Sequence, residues 1–177
     1  ILQLGNIGKE DFSEEAYFDV IRKKTAALFK VSSQSGAVSV GAVQEEVMKA
    51  GLLGEMIGIA FQIKDDIFDY FESSELGKPT GNDMLEGKLT LPALYVLNQT
   101  GDDSLKQTAL KIRSLEASKE EIANFVETVK EKGGIEYATR MMYEFRDKAL
   151  ALVPASADSS LKEALTAYID YVIERNK

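Results

Sequence analysis

Three acids stand close together in the stretch Phe61-Gln62-Ile63-Lys64-Asp65-Asp66-Ile67-Phe68-Asp69-Tyr70. On an α-helix each residue advances by about 100°, so Asp65 and Asp69 lie one turn apart, with Asp66 about 100° round from Asp65 and Gln62 between the two. Ile63 and Ile67 point away from Asp65 and give the same helix apolar anchors. Clustered carboxylates repel one another, and solvent or cations must offset the repulsion. The flanking sequence is strongly apolar, which weakens the solvent option. Hard oxygen donors without imidazole or thiolate suit Mg²⁺ or Mn²⁺, and Mg²⁺ commonly bridges a few carboxylates to phosphate groups. A solvated acidic helix face carries the same string with no chemistry at all.

The loop that follows, Leu76-Gly77-Lys78-Pro79-Thr80-Gly81-Asn82-Asp83, sets a lysine among glycines. Glycine lets backbone approach a phosphate closely, and lysine adds a point charge. The spacing is not that of a Walker loop, and Gly-Lys-Pro by itself is an ordinary turn.

Helices must position these groups. Apolar residues recur at helical spacing and strict alternation is absent, so the chain is expected to be all-α. Ser13 caps a first helix with Glu14 and Glu15 in its first turn, and Tyr17, Val20, Ile21, Ala27 and Leu28 are expected on its buried side. A short helix is expected around 36–41, then a long one over 43–71 carrying the acids, then a loop over 75–88. Further helices are expected over 91–98, from Asp102/Asp103 to about 115, from a Ser118/Glu121 capping box to Gly133-Gly134, over 135–152 up to Pro154, and over 159–174. Phe61, Phe68, Tyr70 and Phe71 form an aromatic stripe that lines either a tunnel or plain core.

Composition narrows the chemistry. The 177 residues contain no His, no Cys and no Trp, and the net charge is -8. Imidazole catalysis and thiolate metal sites are excluded. A strongly acidic chain is not expected to bind nucleic acid, although bound Mg²⁺ reverses the local sign for a phosphate ligand. No apolar run reaches membrane-spanning length, and a cytoplasmic protein without stable membrane insertion is expected.

The ordered motifs resemble those of the trans-isoprenyl diphosphate synthase (polyprenyl synthetase) family. Gly54 to Tyr70 resembles its second aspartate-rich motif, G-x-x-x-G-x-A-F-Q-x-x-D-D-x-x-D. The segments from Leu76 to Asp83 and from Glu86 to Pro92 look like the family's following loop. Val20 to Phe29 resembles its Lys-Thr motif, here Lys24-Thr25, and Gln3 matches the glutamine of a further segment. The resemblance covers about 3–97. It implies the isoprenoid-synthase helical bundle with only the C-terminal part present, so that 1–177 is one all-helical domain of a larger synthase. The opening at Ile1, without Met, agrees with a fragment from truncation or proteolysis.

What the resemblance implies is a prenyltransferase. An allylic diphosphate ionises with help from Mg²⁺ and condenses head-to-tail with isopentenyl diphosphate, lengthening an all-trans polyprenyl diphosphate, in wording closest to the medium- or long-chain branch. Asp65 is implied as direct metal ligand, with Asp66 and Asp69 holding metal-bound water or supporting the site. Lys24 and Lys78 are implied on the allylic diphosphate, supported by Thr25 and Gln62. Lys88 either closes the loop over the site or is an ordinary loop lysine. Each residue also has a plain reading: Lys24 as a solvated lysine beside Arg22 and Lys23, Thr25 bonding back to its own helix, Gln62 as a surface amide. The family's first aspartate-rich motif lies before Ile1, so the fragment alone is expected to be inactive. A homodimer is implied. The alternatives are a non-catalytic subunit of a heteromeric synthase and a generic helical interaction module.

Overall fold

The computed structural model describes residues 12–71, 80–155 and 157–174, and these form helices joined by turns, without a strand among them. Gln3, Gly77, Lys78 and Pro79 lie outside the described residues. The helices are α1 (Glu14–Ile21), a π-helical turn (Arg22–Ala26) running without a break into α2 (Ala27–Ser39), α3 (Gln44–Phe68), α4 (Asn82–Leu85), α5 (Leu91–Thr100), α6 (Asp103–Arg113), α7 (Lys119–Glu131), α8 (Gly134–Ala151) and α9 (Ser159–Glu174).

The described residues divide into two compact units, one taking those within 12–17 and 65–139, the other those within 18–64 and 140–174. The first unit is built around Tyr70, Met84, Val96, Leu97, Ile112, Phe125 and Val129. Its helices begin where the sequence supplies caps. The Asp102 carboxylate accepts from the Ser104 and Leu105 amides at 3.0 and 3.2 Å. Ser118 and Glu121 form the reciprocal capping box at the start of α7. Pro92 sits in the first turn of α5, where its missing N–H costs nothing. The loop expected over 75–88 contains the single turn α4, entered through Gly81 at φ +78°. That left-handed backbone, with Ile122 pressed against the position a Cβ would take, fits glycine alone.

In the second unit the buried side chains include Ile21, Ala26, Ile57, Ile59 and Ile63, with Met142, Phe145, Ile169 and Ile173 from α8 and α9. The α1–α2 rod packs against α3 through two glycines. A Cβ on Gly58 would stand 2.6 Å from the Ala26 Cα, and one on Gly54 would stand 2.5 Å from the Phe29 carbonyl oxygen. Close approach of two helix backbones needs such small residues.

Two expectations about this rod are corrected. Leu28 was expected on the buried side with Ala27, but it is 70% exposed, while Ala26 is fully buried. The π turn at Arg22–Ala26 is the cause: it adds a residue to the turn and rotates the downstream face by about 100°. The separate short helix around 36–41 is also absent. Helix α2 runs straight on to Ser39, and Gly41, at φ +74°, closes it with its amide donating to the Val38 carbonyl at 3.0 Å.

Candidate functional site

Helix α3 ends on the acids. Its apolar residues hold it in place, with Ile63 fully buried and Ile67 7% exposed, so the carboxylates ride on a fixed element. The three are not equivalent. Asp65 is half-buried. Asp66 is only 4% exposed, and its Oδ2 accepts a hydrogen bond from the Tyr17 hydroxyl at 2.6 Å. Asp69 is half-buried and accepts from the backbone amides of Asn82 at 3.1 Å and Asp83 at 3.0 Å. Its carbonyl also receives the Gly81 amide at 2.8 Å. Asp69 therefore ties the end of α3 to the start of α4.

These contacts change the electrostatics read from the sequence. Repulsion among the acids was expected to be offset by solvent or cations alone. The protein supplies part of the offset itself, through a phenol on Asp66 and two amides on Asp69. Burial first, and the negative charge of Asp66 second, push the Tyr17 phenol well above its ordinary pKa. It stays protonated and donates to Asp66.

Among the described residues no three carboxylates converge on one point as a metal cage. That does not conflict with Mg²⁺, which uses one or two carboxylates and takes its other ligands from water and phosphate. Asp65, a hard oxygen donor at the half-buried end of the motif, fits that use.

The second unit carries Lys24, Thr25 and Gln62. Lys24 and Thr25 both belong to the π turn. Lys24 is exposed and has no hydrogen-bond or ion-pair partner among the described residues. The Thr25 hydroxyl donates to Gln62 Oε1 at 2.6 Å. Thr25 therefore reaches across to α3 and does not bond back into its own helix. The bond turns the Gln62 amide oxygen toward Thr25. Nearby, Glu55 pairs with Lys30 at 2.7 Å and lies 3.8 Å from Arg22, giving the rod a further polar tie to α3.

Lys88 is held inside its own turn. Its amide donates to the Asp83 carbonyl at 2.8 Å, and its ammonium pairs with Glu86 and lies 3.4 Å from Asp83. The aromatic stripe divides as well: Tyr70 is in the core, Phe61 packs on Phe29 with ring centres 5.3 Å apart, and Phe71 is half exposed beneath the Lys130 ammonium. Tyr17 is the residue whose polar role the sequence did not disclose. Its position marked it as buried, and a buried phenol normally finds a partner, but nothing local named Asp66, 49 positions away.

Comparisons with known proteins identify the family. A family model described as polyprenyl synthetase matches residues 1–129. A short chain isoprenyl diphosphate synthase from Methanothermobacter thermautotrophicus is 33% identical, over 98% of this chain and 53% of its own length. The crystal structure of a geranylgeranyl pyrophosphate synthase from Bacteroides thetaiotaomicron is 56% identical with a TM-score of 0.93, over 98% of this chain and 58% of that one. A polyprenyl synthase from Caulobacter crescentus, complexed with calcium and isoprenyl diphosphate, is 30% identical with a TM-score of 0.84, over 98% of this chain and 54% of that one. The chain thus spans about half the length of these relatives. With its all-helical fold and its ordered motifs, the chain belongs to the polyprenyl synthetase family.

Proposed function

We propose that this chain is the diphosphate-handling portion of a prenyltransferase that joins an allylic diphosphate to isopentenyl diphosphate and lengthens an all-trans prenyl chain. The observation that carries the reading is the graded acid motif on α3. Asp65 is half-buried, Asp66 is buried against the Tyr17 hydroxyl, and Asp69 ties the helix end to α4. A merely solvated acidic face has no use for a buried 2.6 Å phenol–carboxylate bond. The Caulobacter relative, which holds both a divalent cation and an isoprenyl diphosphate, supports the same assignment.

In this reading Asp65 is the direct ligand of Mg²⁺, and Asp66 and Asp69 hold its water shell and fix the end of the helix. When bound, Mg²⁺ supplies positive charge to the diphosphate as the allylic C–O bond breaks and the electron pair leaves with the oxygen. Lys24, and Lys78 from the following loop, bind the diphosphate oxygens of the allylic substrate as point charges. Thr25 holds the Gln62 amide so that its NH₂ faces the substrate. The double bond of isopentenyl diphosphate then attacks the allylic carbon, and a proton leaves from the carbon next to the new cation. The departing diphosphate is the base, a role compatible with a chain that has no His.

Among the described residues no helix is long and apolar enough to cross a membrane, and we place the protein in the cytoplasm as a homodimer. The test is Asp65→Ala in the intact protein, read by prenyl transfer and by calorimetry of Mg²⁺-dependent diphosphate binding. Turnover should fall by orders of magnitude and the Mg²⁺-dependent heat should vanish. Near-normal turnover with normal binding removes the metal role and leaves a helical interaction module.

A further inference from the structure

Within the acid motif, Asp66 poses a separate problem. It is a buried carboxylate, and a buried anion needs donors close by. The Tyr17 hydroxyl is one such donor, at 2.6 Å, itself on a residue only 6% exposed. This distance is in the range of strong hydrogen bonds to a charged acceptor. The partners come from distant parts of the chain, the first turn of α1 and the last turn of α3. Ser13 caps that first turn, with its Oγ accepting the Ala16 amide at 3.2 Å, and Tyr137 donates to Glu14 at 2.6 Å. The start of α1 is thus fastened on two sides, and Tyr17 projects from a fixed base. A phenol on a rigid two-angle side chain sets direction more sharply than a lysine or serine would.

We infer that Tyr17 is a positioning residue for the diphosphate site, fixing the orientation of the Asp66 carboxylate within the motif so that Asp66 can hold the hydration shell of a Mg²⁺–diphosphate group. The inference rests on the function proposed above and extends it to a residue outside the family motifs. Partners that orient a metal site's carboxylates typically change metal affinity or activity by about 10- to 100-fold when removed. Tyr17 does not touch the reacting atoms, so its loss should act through Mg²⁺ and not through isopentenyl diphosphate.

The experiment compares the intact protein with Tyr17→Phe, Asp66→Asn, the double variant and Asp65→Ala. The readouts are the Mg²⁺ concentration for half-maximal prenyl transfer, the KM for isopentenyl diphosphate, calorimetric Mg²⁺-dependent binding of inorganic diphosphate, and Tm. Tyr17→Phe should raise the half-saturating Mg²⁺ about 10-fold or more and leave the KM for isopentenyl diphosphate within about 2-fold. Unchanged Mg²⁺ dependence in a folded Tyr17→Phe protein overturns the inference, as does a lowered Tm with no change in Mg²⁺ dependence. Should Tyr17→Phe fail to fold, the double variant carries the test, because Phe beside Asn leaves no buried anion. It should match Asp66→Asn alone in Mg²⁺ dependence, whereas a further loss of the same size as others add would show that Tyr17 acts elsewhere. Asp65→Ala separates the two ideas. Mg²⁺-dependent diphosphate binding that survives in Asp65→Ala sinks the proposed function itself, and binding lost there but intact in Tyr17→Phe sinks only the role of Tyr17.

Discussion

The Thr25 hydroxyl and the Gln62 amide oxygen meet at 2.6 Å, linking the π turn to α3 across 37 positions of sequence. Replacing Thr25 by Val keeps the shape of the side chain and removes the donor. Gln62 Oε1 then loses this hydrogen bond. Turnover in the intact protein should fall by about 10-fold, equivalent to about 1.4 kcal/mol of transition-state stabilisation, while far-UV circular dichroism stays unchanged.

Asp65 and Asp69 should separate cleanly by stability. Asp69→Ala removes the acceptor for the Asn82 and Asp83 amides. Orphaned donors cost about 1–3 kcal/mol when buried, and partial exposure puts this case toward the lower end. Asp69→Ala should therefore lower the denaturant midpoint. Asp65→Ala leaves the Asp69 tie to α4 in place and should lower the midpoint less. Urea titration of the two variants decides the order.

Gly58→Val should be among the most damaging changes away from the three acids. The Cβ alone would stand 2.6 Å from the Ala26 Cα, so the rod must move off α3. Overpacking of this kind typically costs about 1–3 kcal/mol. The displacement carries Thr25 with it, so the Thr25–Gln62 bond should be lost as well. Thermal melting and turnover should both fall, in contrast to Thr25→Val, which should affect turnover alone.

Glu121 provides a pH test away from the site. The Lys111 ammonium first, and the Ser118 amide and hydroxyl next, hold its carboxyl down at about 2. A folded pKa below the unfolded one gives stabilisation that is fully present above the ordinary glutamate range. It is lost progressively as pH falls from that range to about 2. Glu121→Gln should flatten the acid limb of the stability curve, measured by urea midpoints between neutral and acidic pH. Ser118→Ala, which removes the other half of the box, should cost about 1 kcal/mol.

Several of these features were legible in the sequence because their causes are local. The caps at Ser13, Asp102 and Ser118 act within three residues, and the helices start where those residues stand. The acids were placed on a helix anchored by Ile63 and Ile67, and both isoleucines are buried. Other features depend on contacts that no window contains. Asp66 was read as one of three similar acids until the phenol of Tyr17 distinguished it. The buried face of the α1–α2 rod was misread at Leu28, because periodicity assumes a constant number of residues per turn and the π turn breaks that constancy. The segment around α4 read as loop, since four residues are too few to show a period and only the Asp69 contacts and the Gly81 backbone reveal the turn.

The wide turn at Arg22–Ala26 also makes this stretch sensitive to its winding in a way that no side chain reveals. Rewinding it as ordinary α-helix with all five residues kept would swing everything up to Ser39 round by about a quarter-turn. Ala26 would leave its seat on Gly58, and Thr25 would no longer point at Gln62, although every residue type needed for both contacts would still be present. A further inserted residue should be tolerated in the bend around Gly41 and rejected here.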